Sequence, residues 1–348
     1  MKHTMTALRK TAEGPGHTEL ADIPVPEIGE NEVLIKVHAA GICGTDLKIR
    51  AGKTWSNPPV TLGHELSGVI EKTGCKVTEY KPGDRVVSET AQIICGHCWY
   101  CKTGSYLMCP ERLSIGYGTD GGMAEYIKVR KDIVHMVPDS VSLDEAALCE
   151  PTAVAVHAVY DSVDIKAGDI VLVLGCGAIG NLVAQIAKSF GATVIITGLT
   201  CDEKRLELAR KVGIDYAVNT QTESVEPLLD KLTGKIGPDY VFDCSGAPAA
   251  IRMGMSLLKR KGTFVQVGLT QKNLEIEYSL LTGREIKIAG TFGHNWSSWE
   301  TALKLMQTGK IDASSLITDR VALKDWEAGF ASASSGSGLK VLIYPNQE

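Results

Sequence analysis

No apolar run in this 348-residue sequence approaches the ~20 residues that a membrane-spanning helix needs, so no membrane partner is expected. The opening Met1–Lys10 is mixed and polar and has no signal-peptide h-region. Basic charge is scarce as well: 36 Lys and Arg stand against 41 Asp and Glu, a formal net charge of −5. Without a broad positive field, nucleic acid is not an expected partner. Internal repeats are missing, and low-complexity sequence is confined to Ser332–Gly338, which reads as a surface loop. Disulfide staples are not needed in a chain of this size, and four of its ten cysteines crowd into Cys95–Cys109. A cytoplasmic location follows from that usage.

What is present is the composition of a globular protein, 44% hydrophobic and 22% charged, long enough for two domains. The texture changes at Pro151. Before it, short β-like runs (Glu32–Ala39, Gly68–Glu71, Asp84–Val87) are broken by Gly and Pro, which suggests a barrel-like fold with irregular insertions. After it, strands and helices alternate, which argues for a parallel sheet with crossover helices. Ile170–Leu174 opens that pattern, followed by a helix to about Phe190 and by strands at Thr193–Thr197, Tyr240–Asp243, Thr263–Val267 and Ile286–Ala289. The tail, with a helix at Trp299–Thr308 and a last strand at Val341–Tyr344, reads as returning to the first domain. The expected fold is therefore α/β, a doubly wound Rossmann domain over residues 156–290 beside a β-rich domain built from 1–155 and 291–348.

Gly175-Cys-Gly177-Ala178-Ile179-Gly180 directly follows an apolar strand and opens a helix, the context in which G-x-G-x-x-G carries meaning. Gly175 permits a tight turn, Gly177 lets backbone approach a pyrophosphate, and Gly180 allows close helix–strand packing. The helix N-terminus, with Ala178 and Ile179 in its first turn, offers unpaired N–H groups to the phosphates. The second strand lacks the acid that usually binds the ribose hydroxyls in NAD-binding folds; it ends Thr197-Gly198-Leu199-Thr200. Thr200-Cys-Asp-Glu203 fits a capping box, which puts Asp202 past the ribose. With no carboxylate at Gly198 to repel a 2′-phosphate, Thr197, Thr200, Lys204 or Arg205 can contact one, which leans the cofactor towards NADP(H). The alternative is that Gly198 only weakens ribose contacts while NAD still binds.

Two clusters have metal chemistry. Cys95, Cys98, Cys101 and Cys109 offer four thiolates close in sequence, enough to close a tetrahedral shell around Zn²⁺ with no position left for chemistry. Disulfides or free core cysteines are the alternatives. A DNA-reading zinc finger is excluded by the absence of a basic reading helix in this segment. The second cluster is dispersed: Cys43 beside Thr45 and Asp46, His64 beside Glu65, and Glu150 at the passage between domains. One sulfur, one nitrogen and one or two carboxylate oxygens hold zinc while leaving room for water or substrate. Each residue alone has a structural reading; their joint appearance beside a dinucleotide fold makes the case.

At these motifs, and at Gly121–Tyr126, the chain resembles the zinc-containing medium-chain dehydrogenase/reductase family over essentially its whole length. A glutamate at position 150, where typical alcohol dehydrogenases carry cysteine, resembles the polyol (sorbitol-type) branch. The resemblance implies a GroES-like first domain, a catalytic zinc surrounded by Cys43, His64 and Glu65 or Glu150, a structural zinc on the four cysteines, and a homotetramer or homodimer. The expected reaction is reversible oxidation of a small-molecule secondary alcohol, of a polyol or its phosphate, to a ketone with NAD(P). In it Thr45 accepts the hydroxyl proton and Asp46 orients His64. The chain departs from its relatives at Gly198, and at Lys48, where some carry a proton-relaying histidine. Lys48, Arg50 and Lys53 could meet a substrate phosphate or form a solvated basic loop; His294, Trp296 and Trp299 could line a pocket or pack the tail. The rival readings are a threonine-type or simple-alcohol dehydrogenase and a non-enzymatic zinc- and nucleotide-binding protein.

Overall fold

The computed structural model describes residues 3–270, 273–336 and 338–347. Two compact units divide the chain: Met1–Glu150, Asn295–Gln307 and Ile317–Glu348 form the first, Pro151–His294 and Thr308–Leu316 the second. The handover at Glu150/Pro151 lies inside the helix Cys149–Tyr160. The stretch 308–316, which the sequence reading assigned to the first domain with the rest of the tail, groups with the second unit.

The first unit is organised on Glu32–Gly41, a ten-residue strand buried along most of its length. On one side Glu65–Thr73 pairs antiparallel with nearly all of it. On the other, Tyr126–Arg130 takes the first half and the C-terminal strand Lys340–Tyr344 takes Ala40 and Gly41. A register irregularity between Val37 and Ala39 bends the strand where the partner changes, the usual effect of a bulge. Arg85–Ser88 and Val134–Met136 extend the sheet beyond Glu65–Thr73, and Ile317–Ala322 extends it beyond Lys340–Tyr344. Val33, Ile35, Val37, Leu66, Ile70, Ile127 and Val129 form one core. A second core joins Leu8, Ile42, Ile49, Leu62, Met123, Phe330, Val341 and Ile343. The short helix Gly44–Arg50 rests on that second core through Ile49, so the segment that begins at Cys43 is anchored by apolar burial.

The second unit is a six-stranded parallel sheet, ordered Tyr216–Asn219, Thr193–Gly198, Ile170–Leu174, Tyr240–Asp243, Thr263–Gln266, Lys287–Gly290. In chain order this is 3-2-1-4-5-6, the Rossmann arrangement. Helices cover both faces of such a sheet, so its central strands read as continuous apolar runs; Val171, Leu172, Val173 and Leu174 are fully buried. The strand Tyr216–Asn219 was not foreseen. At four residues it is too short to show a period.

Two details differ from expectation. Ser332–Ser335 is the last turn of the helix Trp326–Ser335, not a loop: Ser334 and Ser335 donate to the Phe330 and Ser332 carbonyls, a back-bonding that lets serine sit in a helix. Trp299 packs the tail: it is fully buried, and its ring stacks on His135 at 5.7 Å and 8°.

Candidate functional site

In the first unit, ligand atoms of Cys43, His64 and Glu65 lie within 4.8 Å of one another. Cys43 caps the helix Gly44–Arg50, and His64 and Glu65 sit where a loop enters the strand Glu65–Thr73. Asp46 joins the two loops: its buried carboxylate accepts from the Cys43 N–H at 2.9 Å and from the Gly63 N–H at 3.3 Å. Its Oδ1 stands 3.9 Å from His64 Nδ1, beyond hydrogen-bond range. Asp46 therefore does not orient the imidazole by a hydrogen bond, as expected from sequence; it fixes the backbone spacing of the two donors.

His64 is 5% exposed, and its Nδ1 has no hydrogen-bond partner. Burial pulls its pKa down, yet the neighbouring Cys43 thiolate, Asp46 and Glu150 carry it well above the ordinary value. A buried ring nitrogen without a partner, beside a sulfur and a carboxylate, fits a metal site, because a buried polar atom otherwise loses its hydration for nothing. The donor set of one S, one N and one O suits Zn²⁺ and leaves a fourth position free.

Glu65 is fully buried, and Lys340 is 5% exposed. The ammonium of Lys340 reaches both carboxylate oxygens, at 2.5 and 2.6 Å. Gly41, opposite Glu65 in the register, provides the room, since a Cβ there would overlap the Glu65 carboxylate. Neither Lys340 nor Gly41 was picked out from sequence as shaping this site. The available signal for Lys340 was a charged residue at the head of the otherwise apolar strand KVLIY. Glu150 does not join the three-donor cluster. It is half-buried, and burial, reinforced by Glu65 and Asp46 against the pull of His64 and Lys340, pushes its pKa up to about 7. Thr45 is half-buried in the first turn after Cys43.

The sulfurs of Cys95, Cys98, Cys101 and Cys109 form a second cluster within 4.8 Å. Cys98 and Cys101 are 3.5 Å apart, Cys95 and Cys101 3.9 Å. Both separations are far too long for a disulfide, at about 2.05 Å, and close to the roughly 3.8 Å edge of a tetrahedron with 2.3 Å zinc–sulfur bonds. Backbone N–H groups of Cys95, Cys98 and Cys101 each donate to a sulfur in the set, at 3.3–3.4 Å. The His97 and Cys98 N–H groups lower the Cys95 pKa to about 6, while burial pushes Cys101 up to about 12. A cation shared by the cluster would deprotonate all four thiols. The lobe is braced from inside the unit: the Tyr106 hydroxyl bonds to Glu89, which meets His135 Nε2 at 3.1 Å.

In the second unit the glycine-rich turn has the geometry its spacing implies. Gly175 has φ +98°, a left-handed conformation that favours glycine. Nothing lies within 4 Å of a Cβ built on Gly177, which leaves its backbone open to a ligand, and Gly177 caps the helix Ala178–Ser189. A Cβ on Gly180 would overlap the Gly175 carbonyl oxygen. The loop after the second strand is less as foreseen. The capping box runs one residue earlier than read, with Asp202 accepting from the Leu199 N–H at 3.1 Å. Arg205 donates to Asp202 at 3.0 Å, and the Thr200 N–H donates to Gln221 at 2.9 Å. A Cβ on Gly198 would come within 2.6 Å of Cys176 Sγ, so packing alone already asks for glycine there.

These features agree with the comparisons. Residues 29–139 match the alcohol dehydrogenase GroES-like domain family and residues 178–308 the zinc-binding dehydrogenase family. A sorbitol dehydrogenase of Halalkalibacterium halodurans is 41% identical, covering 98% of this chain and 99% of its own. A D-arabitol-phosphate dehydrogenase of Enterococcus avium is 39% identical, covering 100% and 99%. A zinc-binding dehydrogenase from Sinorhizobium meliloti 1021, solved bound to NADP, superposes with a TM-score of 0.91 at 32% identity, over 99% of this chain and 100% of that one. The chain belongs to the zinc-containing medium-chain dehydrogenase/reductase family, and it is an enzyme. Within the family its likeness is to the polyol (sorbitol-type) branch.

The Lys340–Glu65 pair yields a direct expectation. Lys340→Met leaves a buried carboxylate without its cation and lowers stability by about 3–5 kcal/mol. Adding Glu65→Gln to that variant recovers most of the loss. Urea unfolding of the two variants beside the parent measures both effects, and an unchanged midpoint in Lys340→Met contradicts the role given to the pair.

Proposed function

We propose that this dehydrogenase reversibly oxidises a secondary alcohol of a polyol or sugar alcohol to the ketone, with NADP(H) as its cofactor and two zinc ions per chain. The observation that carries the reading is the buried, open donor set of Cys43, His64 and Glu65 beside Thr45. When bound there, zinc supplies a Lewis acid for the alcohol oxygen and the nicotinamide supplies the hydride acceptor. The chain's own residues do the rest. Thr45 Oγ1 accepts the hydroxyl proton and passes it outward. Asp46 keeps Cys43 and His64 at fixed spacing, and Lys340 balances the charge of Glu65 in a site too dry to tolerate it alone. Glu150 stands as a carboxyl close enough to feel His64 and Glu65, outside the three-donor cluster. Gly175, Gly177 and the helix start at Ala178, Ile179 and Gly180 hold the pyrophosphate. The four-cysteine lobe carries the second zinc as a structural ion.

The names of the relatives, a sorbitol and an arabitol-phosphate dehydrogenase, support a polyol substrate. The NADP lean rests on the carboxylate-free end of the strand Thr193–Gly198, on Asp202 being engaged by Leu199 and Arg205, and on the NADP bound to the Sinorhizobium relative. A homotetramer or homodimer is favoured by the edge strand Lys287–Gly290, where Ile288 and the nearby Phe292 are 44% and 45% exposed; an exposed apolar edge invites a second strand. A cytoplasmic setting fits ten cysteines that form no disulfide.

Two experiments test this reading. His64→Ala abolishes turnover and reduces bound zinc from about two ions per chain to about one, because a lost donor in a three-ligand site is poorly replaced by water. Cys98→Ser also loses one zinc, but its first effect is a lower melting temperature, since a closed site contributes folding free energy. Elemental analysis with thermal melts separates the two, and a His64→Ala protein with full activity contradicts the catalytic assignment. For the cofactor, an aspartate at 198 needs space, so Cys176→Ala is combined with Gly198→Asp. The double variant shifts relative kcat/KM towards NAD by about tenfold or more compared with Cys176→Ala alone. A parent enzyme that already strongly prefers NAD overturns the NADP assignment and leaves the dehydrogenase standing.

A further inference from the structure

Asn181 is fully buried in the first turn of the helix Ala178–Ser189. Its buried neighbours on that helix are almost all apolar: Leu182, Val183, Ala184, Ile186 and Ala187. The other polar one, Gln185, is accounted for, since its amide accepts from the Asp312 N–H at 2.7 Å and donates to the Asp312 carbonyl at 3.5 Å. Among the described residues Asn181 has no such partner in a neighbouring segment. It turns back on the glycine-rich turn, where Nδ2 donates to the Cys176 carbonyl at 2.7 Å and to the Gly177 carbonyl at 3.2 Å. Two carbonyl oxygens decide which end of the amide faces them, because only the nitrogen can donate. Oδ1 is then left buried with no hydrogen-bond partner. An unpaired buried acceptor is destabilising, and an apolar side chain of similar shape would avoid it. Packing of the helix does not explain an amide here.

The direction of one peptide does. The Gly177 carbonyl already accepts the helical Asn181 N–H at 2.9 Å, so the helix sets that group by itself. The Cys176 carbonyl has no backbone donor among the described residues, and the Asn181 side chain is what draws it towards the interior. In a planar trans peptide the C=O and the next N–H point in opposite directions. Drawing the Cys176 oxygen inward therefore aims the Gly177 N–H outward. That N–H has no partner among the described residues, and it borders open space, as the empty surroundings of a Cβ on Gly177 show. Glycine alone would leave this peptide free to rotate.

We propose that Asn181 is a positioning residue for cofactor binding: by holding the Cys176 carbonyl it keeps the Gly177 N–H aimed at the pyrophosphate of the dinucleotide. The inference rests on the pyrophosphate reading of the turn and adds to it a side chain that does not touch the cofactor. An N–H that donates to a phosphate oxygen makes a charge-assisted bond, and a donor already aimed loses less freedom on binding. Pyrophosphate is common to NADP and NAD. Asn181 therefore acts equally on both, whereas the effect of position 198 turns on the 2′-phosphate.

The test is equilibrium titration of the zinc-loaded enzyme with NADPH and with NADH, followed by nicotinamide fluorescence, for the parent, Asn181→Leu and Asn181→Ser. Leucine keeps the approximate shape and removes the amide. Serine is the second variant should leucine disturb the turn; its hydroxyl reaches the carbonyl four residues back, that of Gly177, and not that of Cys176. Thermal melts without cofactor report folding. Each folded variant raises the Kd of NADPH and of NADH by the same factor, about tenfold. Unchanged Kd values in a folded variant overturn the proposal, and so does a loss confined to one cofactor. A lower melting temperature with both Kd values unchanged, or failure of both variants to fold, makes Asn181 a residue of stability alone and overturns it too. A parent that binds neither NADPH nor NADH overturns the dinucleotide reading and this inference together.

Discussion

The buried contact between Lys340 and Glu65 is the constraint on which the first unit's site depends. Glu65 has no exposure and sits beside a thiol and an imidazole, where an uncompensated carboxylate would be expelled or protonated. Lys340 makes that position tolerable, and it does so from the last strand of the chain, which pairs with Ala40 and Gly41 just before Cys43. The sheet register, the missing side chain at Gly41 and the ion pair are thus one arrangement. A slip of one residue in either pairing would turn Glu65 or Lys340 to the opposite face.

Much of this was legible in the sequence because the chemistry is local. Four cysteines within Cys95–Cys109 need only a short loop to converge, and G-x-G-x-x-G after an apolar strand carries its own geometry in three glycines. The alternation after Pro151 likewise yields a parallel sheet from local period alone. The dispersed donors were readable as residue types, since sulfur, nitrogen and oxygen at Cys43, His64 and Glu65 point to zinc wherever they meet.

What was not legible depends on contacts between distant residues. Lys340 and Glu65 are separated by 275 positions, and no pattern near either residue announces the other. Asp46 was read as a partner of His64 because carboxylate and imidazole pair readily, yet backbone N–H groups compete for the same oxygens and win. Gly198 was read only through its missing charge. Its contact with Cys176, itself within the glycine-rich turn, belongs to packing between neighbouring strands. The strand Tyr216–Asn219 and the helical end of the serine-rich stretch were lost for a simpler reason: short elements are decided by their surroundings.

The discontinuity of the first unit has a consequence for synthesis. The four-cysteine lobe has all its donors once residue 109 has emerged from the ribosome, and it can close while translation continues. The other centre is different: its three donors are available by Glu65, but the cation that neutralises Glu65 comes from a strand made almost at the end. Between those moments the whole second unit, compact in itself, is translated. The nascent chain therefore spends most of its synthesis with all four cysteines of one cluster in hand and a three-donor cluster whose carboxylate still lacks its cation. A chain truncated shortly before residue 340 would keep its four cysteines and its six parallel strands, yet lack the cation that neutralises Glu65.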